Sequence, residues 1–283
     1  MRRARSLVVG GVAAALITLA LLLWLSLSRT HAGTPVLTLL VDGAASATVG
    51  LGSPMFLEVF LHGTRNGTGP SIGGRLRPWH RLVAVRATQN GREVSLPFVE
   101  VASPRVRELA TGTDGRPSFS DREASGAALD GMRRVFRMEL AAAPESTRQL
   151  SAGSYQLIAS IQTPFWQFWG WRGRVESAPI VVTMVTNAPP IQELAGTAAF
   201  LYKTKQFGEA ARVARDWSTR EASSIPAQVV LGDALLATGD RQGARMAYEA
   251  ALDLANSRSS IERPTAILDR LRDLRTGTAA RRP

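Results

Sequence analysis

The chain has 283 residues, 45% of them hydrophobic, with no cysteine and a formal net charge of +11. That length allows one large domain or two ordinary ones, and the missing cysteine excludes disulfides and thiolate metal sites. The charge is spread: residues 1–32 carry four basic and no acidic groups, residues 33–188 carry 16 and 12, and residues 189–283 carry 14 and 11. No segment has the concentrated basic face of a nucleic-acid protein, so no nucleic-acid partner is expected.

The first element is the uncharged run from Leu7 to Leu27, preceded by Arg2, Arg3 and Arg5. At 1.5 Å per residue, a helix over residues 7–27 spans about 30 Å, the thickness of a bilayer's hydrocarbon core. Residues 1–32 therefore read as a cytoplasmic stub with a membrane anchor, or as a signal peptide cleaved near Thr30-His31-Ala32. Either way the arginines hold the N-terminus inside. The expected location is the inner membrane of a bacterium, single-pass, with the bulk of the chain periplasmic.

From 33 to 186 the pattern is β. Apolar runs at 36–42, 55–63, 82–88, 92–101, 134–142, 154–162 and 175–185 are short and rich in β-branched residues, and Asn90-Gly91 between two of them is a hairpin signal. About seven strands without intervening helices predict an antiparallel sandwich. The segments 62–78 and 102–131, poor in large apolar groups, read as long loops. The stretches "AGSYQLIASI" (152–161) and "WRGRVESAPIVVTMV" (171–185) resemble the final strand pair of immunoglobulin-like domains of bacterial envelope proteins, with Tyr155 similar to the aromatic at their corner. The resemblance implies an all-β sandwich architecture without the antibody cysteine pair.

"NAPP" (187–190) closes the β part, and from 187 to 283 apolar residues recur at helical spacing: Leu194, Ala198 and Leu201, then Ala210, Val213 and Ala214. A period of 34 relates Ile191 to Ile225 and Ala210 to Ala244. The second copy, 227–255, resembles a tetratricopeptide repeat through Leu231-Gly232 and the line Ala244, Tyr248, Ala251, where small residues let two helices approach. Gly239 is placed to end the first helix in a left-handed conformation. "ERPTAILDRLRDL" (262–274) reads as an amphipathic capping helix with Ile267, Leu268, Leu271 and Leu274 inward. The resemblance implies an all-α domain whose first helices line a concave face for a partner segment. Tyr202, Lys203, Gln228 and Asp233 are the candidate contacts on that face.

Catalytic constellations are absent. His31, His62 and His80 lack metal-site spacing, no GxSxG or phosphate loop occurs, and Asp114, Asp121 and Glu123 form only a polar charge run. No enzyme, metal or cofactor is expected. Binding remains. The aromatic stretch holds Phe165, Trp166, Phe168, Trp169 and Trp171, with Arg172 and Arg174 beside it. On a strand its rings would point to both faces, leaving one set uncovered unless another part of the chain packs over it. The leading expectation is a scaffold or adaptor binding another envelope protein. The alternative is a glycan or cell-wall binding module using residues 165–171.

Overall fold

The computed structural model describes residues 35–63, 68–72, 78–111, 117–123, 127–130, 134–163, 171, 173–257 and 265–276. Its strands are β1 (Pro35–Val41), β2 (Ser46–Gly50), β3 (Met55–Gly63), β4 (Thr68–Ile72), β5 (Val83–Gln89), β6 (Arg92–Val94), β7 (Phe98–Thr111), β8 (Pro117–Glu123), β9 (Ala127–Asp130), β10 (Arg134–Ala142), β11 (Gly153–Gln162), β12 (Arg174–Glu176) and β13 (Ile180–Val185). A short helix α1 (Pro144–Arg148) lies between β10 and β11, and a 3-10 turn spans Trp79–Leu82. The helical part follows: α2 (Pro190–Lys203), α3 (Phe207–Arg220), α4 (Ile225–Ala237), α5 (Arg241–Ser257) and α6 (Thr265–Thr276).

One sheet runs β1-β3-β10-β7-β8 and is antiparallel throughout. The other runs β2-β13-β11-β5-β6, with β12 added on β11. Strict alternation builds the core between them. Along β1, β3 and β11 every second residue is buried, so Leu37, Leu39, Leu57, Val59, Leu61, Leu157 and Ile161 share one cluster with Val182 and Met184 of β13. Each such side chain contributes about 1.5–3 kcal/mol on leaving water. Asn90 and Gly91 take φ of 52° and 77° and join β5 to β6 by a tight hairpin, as the dipeptide predicts. Tyr155 is 2% exposed; its Oη donates to the Ser151 carbonyl at 2.8 Å and accepts from the Ser151 amide at 3.1 Å. This clasps the turn that enters β11.

The expected order of membrane helix, all-β antiparallel sandwich and separate all-α domain is corrected. The second sheet is mixed, because β2 pairs parallel with β13. Helix α1 sits inside the sheet-rich region, held where the Thr147 hydroxyl, fully buried, donates to the Ser53 carbonyl at 2.7 Å. The supposed loops 62–78 and 102–131 contribute β4, β8, β9 and the far half of β7; backbone pairing holds these segments, and Ile72 and Val106 are buried in the core.

Nor do the helices form a free-standing all-α tetratricopeptide domain. Phe200 and Leu201 of α2 pack on Val101, Ala141 and Phe56, on the outer face of the first sheet. Lys203 forms an ion pair with Glu139 of β10, and its ammonium lies 5.5 Å above the Phe56 ring.

Among the described residues no helix is long and apolar enough to cross a membrane. The run 7–27 lies outside the described residues, so the structure provides no span. The assignment of the chain as a signal-anchored, single-pass protein of the inner membrane, periplasm and cell envelope is withdrawn on that finding.

Within the helical part, small residues set close spacing. Ala198, Ala210, Ala214, Ala227, Ala234, Ala244 and Ala251 are fully buried. Helix α4 is apolar almost all round because it is the middle member, packed by α3 on one side and α5 on the other. Of the four apolar residues expected inward on α6, Ile267 and Leu274 are buried, Leu271 is half-buried and Leu268 is exposed. Packing on α5 covers only a narrow stripe of this helix.

Candidate functional site

Among the predicted contacts, Tyr202 and Asp233 come together. Tyr202 stands in the last turn of α2, Asp233 in the middle of α4, and both line a cavity of about 420 Å³ with Tyr248 of α5 and Arg270 of α6. Leu236, Ala237 and Ala266 supply its apolar walls, and Asp269 and Asp273 complete it. The helices that line it are mainly α2, α4 and α6, the first members of successive helical pairs.

Packing aims the polar groups. A side-chain carbon on Gly232 would lie 2.5 Å from the Tyr248 ring, so only a glycine admits that ring against α4. The ring is fully buried, and its hydroxyl reaches the next residue, donating to Asp233 Oδ1 at 2.6 Å. Arg270 meets the same carboxylate with two bonds, Nε to Oδ1 at 2.7 Å and Nη2 to Oδ2 at 3.0 Å. Its third nitrogen, Nη1, donates to the Ala266 carbonyl at 3.2 Å. Asp233 thus ties three helices together, with its side chain only 19% exposed.

Burial, and then the Asp233 carboxylate, push the Tyr248 hydroxyl well above the ordinary tyrosine range. Tyr202 is raised by burial first and by Asp233 second, with Arg270 opposing. The hydrogen bond to Asp233 raises Arg270 further, so its charge is permanent. Tyr202 also packs its ring 5.5 Å from Phe207, fixing the turn between α2 and α3.

The other predicted contacts fall elsewhere. Lys203 is spent on Glu139 at the junction with the sheet. Gln228 is half-buried in the first turn of α4, outside the cavity lining. Phe165, Trp166, Phe168, Trp169 and Arg172 lie outside the described residues. Trp171 is half-buried and packs against the core of the two sheets. Arg174 pairs with Glu176 two residues on, its Nη2 at 2.5 Å and Nε at 3.1 Å, and Arg86 joins the same carboxylate at 3.4 Å.

Sequence reasoning missed Arg270, Asp269 and Asp273, and read Tyr248 as packing alone. The signal was present as a polar run, Asp269, Arg270 and Asp273, flanked by the buried Ile267 and Leu274.

Of the charged positions weighed for a metal, Asp121 and Glu123 sit on β8, in register with Arg107 and Arg105, while Asp114 lies outside the described residues. His62 Nδ1 is 3.1 Å from the Gly63 carbonyl, and His80 lies 3.8 Å from Glu100. Among the described residues, no three His, Asp or Glu side chains are grouped to hold a metal ion.

Comparison with known proteins adds little to this geometry. No family model matches the chain, and no curated protein does. A solved structure of a family 123 glycoside hydrolase from Clostridium perfringens, described for its hydrolysis of glycolipid glycans, matches 57% of this chain and 29% of its own length, with 5% identity and a TM-score of 0.31. The chain therefore spans less than a third of that protein. The expectation that this chain has no catalytic activity is not carried forward. A likeness this slight carries no argument for an activity or a substrate.

Proposed function

We propose that the chain is an interaction scaffold whose helical part receives a segment of a partner protein along the line of α2, α4 and α6. One observation carries this reading: residues from α2, α4 and α6 open onto a single cavity whose polar groups are already oriented by packing. Preorganised polar groups around a partly apolar pocket are what binding sites use to gain affinity without an ordering cost. The sheets supply the rigid base, since α2 is anchored on them through Phe200 and Lys203.

The test is site-directed photo-crosslinking in the full-length chain. A photoreactive residue in place of Leu236, on the cavity wall, is expected to capture a discrete partner, and unlabelled chain should compete it away. The same group in place of Met246, which is 61% exposed on α5 and outside the cavity, should not. Identical products from both positions would discard the reading.

A further inference from the structure

The first sheet ends in two edge strands of opposite character. Its order β1-β3-β10-β7-β8 leaves β1 and β8 each with one neighbour. An edge strand offers a row of backbone amides and carbonyls to any extended chain, and proteins blunt such edges with charge, proline, bulges or short length. Strand β8 begins at Pro117 and carries the charged run Asp121-Arg122-Glu123. In the second sheet the edges are short: β6 has three residues, Arg92 and Glu93 among them, and β2 has five.

Strand β1 has none of these devices. The run Pro35-Val36-Leu37-Thr38-Leu39-Leu40-Val41 has no charged residue, and its proline stands at the first position, where a missing amide matters least. Its register with β3 runs without a bulge over the whole strand, from Pro35 opposite Gly63 to Val41 opposite Leu57. Among the described residues no strand other than β3 pairs with it. Only Val41, at its end, bonds elsewhere, exchanging bonds of 2.8 and 2.9 Å with Ala44.

The sequence of β1 also matches itself. Alternation puts Leu37, Leu39 and Val41 in the core and leaves Val36, Thr38 and Leu40 half-buried on the outer face. Thr38 is the middle residue. Two copies laid antiparallel over the full strand place a two-fold axis at Thr38, so Val36 faces Leu40 and Leu37 faces Leu39. Apolar residues then oppose apolar ones on both sides of the axis. The threonines meet at the axis as a favourable cross-strand pair, and no like charges face each other. Phe60 of β3, half-buried and in register with Thr38, extends the apolar strip behind the seam.

We propose that β1 is a self-association edge: two copies of this chain pair β1 with β1 antiparallel and join their first sheets into one. A seam seven residues long falls short of the area of a tight permanent interface, so the dimer is reversible and concentration-dependent. The pairing does not depend on the scaffold reading, but it would make a scaffold bivalent, with two helical cavities in one assembly.

Disulfide trapping in the full-length chain tests it. The chain has no cysteine, so a single introduced thiol reports a single contact. Cα atoms directly opposite in an antiparallel pair lie about 4.5–5.5 Å apart, within the span a disulfide bridges. T38C is expected to form a disulfide-linked dimer under mild oxidation. V181C, at a position 42% exposed on a strand inside the second sheet, is not. Charge at the axis gives the second arm. T38E and T38K should each weaken dimerisation roughly two- to fivefold in sedimentation analysis, and an equal mixture of the two should restore it. Restoration on mixing would also show that both variants are folded. Equal trapping of T38C and V181C, a T38C chain that stays monomeric, or a mixture no better than either variant alone would each overturn the proposal. Trapping of T38C on a different protein would assign the edge to another extended segment and overturn self-pairing as well.

Discussion

The Tyr248 hydroxyl donates a 2.6 Å hydrogen bond to Asp233, across the gap between α5 and α4 that Gly232 keeps narrow. The ring sets the spacing of two helices, and the hydroxyl holds the carboxylate that Arg270 then grips from α6. One side chain therefore serves packing and site geometry together. Gly232→Ala tests the first role. Alanine is the better helix former by about 1 kcal/mol, yet its methyl would collide with the buried Tyr248 ring. A net loss of about 1–3 kcal/mol in urea denaturation is expected; equal or greater stability would show that the ring moves aside.

Alkaline pH tests the second role. Both Tyr202 and Tyr248 have folded-state values raised above the ordinary value of about 10, by burial first and Asp233 second. In the window above pH 10 the unfolded chain has lost these protons and the folded chain keeps them. Stability is then fully present below about pH 10 and falls as pH rises beyond it. Y202F/Y248F should flatten that fall in melting experiments between neutral and strongly alkaline pH, and an unchanged slope would refute the assignment.

The corner of the sheet-rich region offers an independent check. Tyr155→Phe removes a hydroxyl that both donates to and accepts from the Ser151 backbone, leaving those groups half-buried without it. A loss of about 1–2 kcal/mol is expected, with the denaturant slope unchanged. The cavity, a separate structure, should retain its crosslinking at position 236.

Coupling between sheets and helices depends on α2. Phe200 is 7% exposed and packs on Val101 and Ala141. Phe200→Ala should cost about 3–5 kcal/mol and split calorimetric unfolding into separate transitions for sheets and helices. Lys203→Ala, which removes a partly exposed ion pair and a cation–π contact, should cost about 1 kcal/mol or less and keep a single transition. A single transition in Phe200→Ala would show that the coupling of sheets and helices does not depend on this contact.

Much of the fold was legible because its signals are local. Period-two alternation marked β1, β3, β10 and β11 to within a residue or two, and Asn90-Gly91 marked its hairpin. The 34-residue period and the small residues at Ala198, Ala210, Gly232 and Ala244 marked the helical pairs. What went unread is non-local. Strands β4, β8 and β9 carry little hydrophobic pattern, so only their pairing partners reveal them. The parallel pairing of β2 with β13 joins segments more than 130 residues apart, which no window along the chain can see.

The sequence by itself determined the order of a sheet-rich and a helical part, the core-facing residues of each and the close contact at Gly232, because alternation, periodicity and steric size act between neighbours. Only the tertiary structure decided that α2 is welded to the outer face of a sheet, and that Tyr202, Asp233, Tyr248 and Arg270 surround one cavity. Those four residues come from four helices, and their meeting depends on how the helices are inclined and spaced. A carboxylate becomes a shared anchor only when the folded chain carries a buried hydroxyl and a guanidinium to it at once.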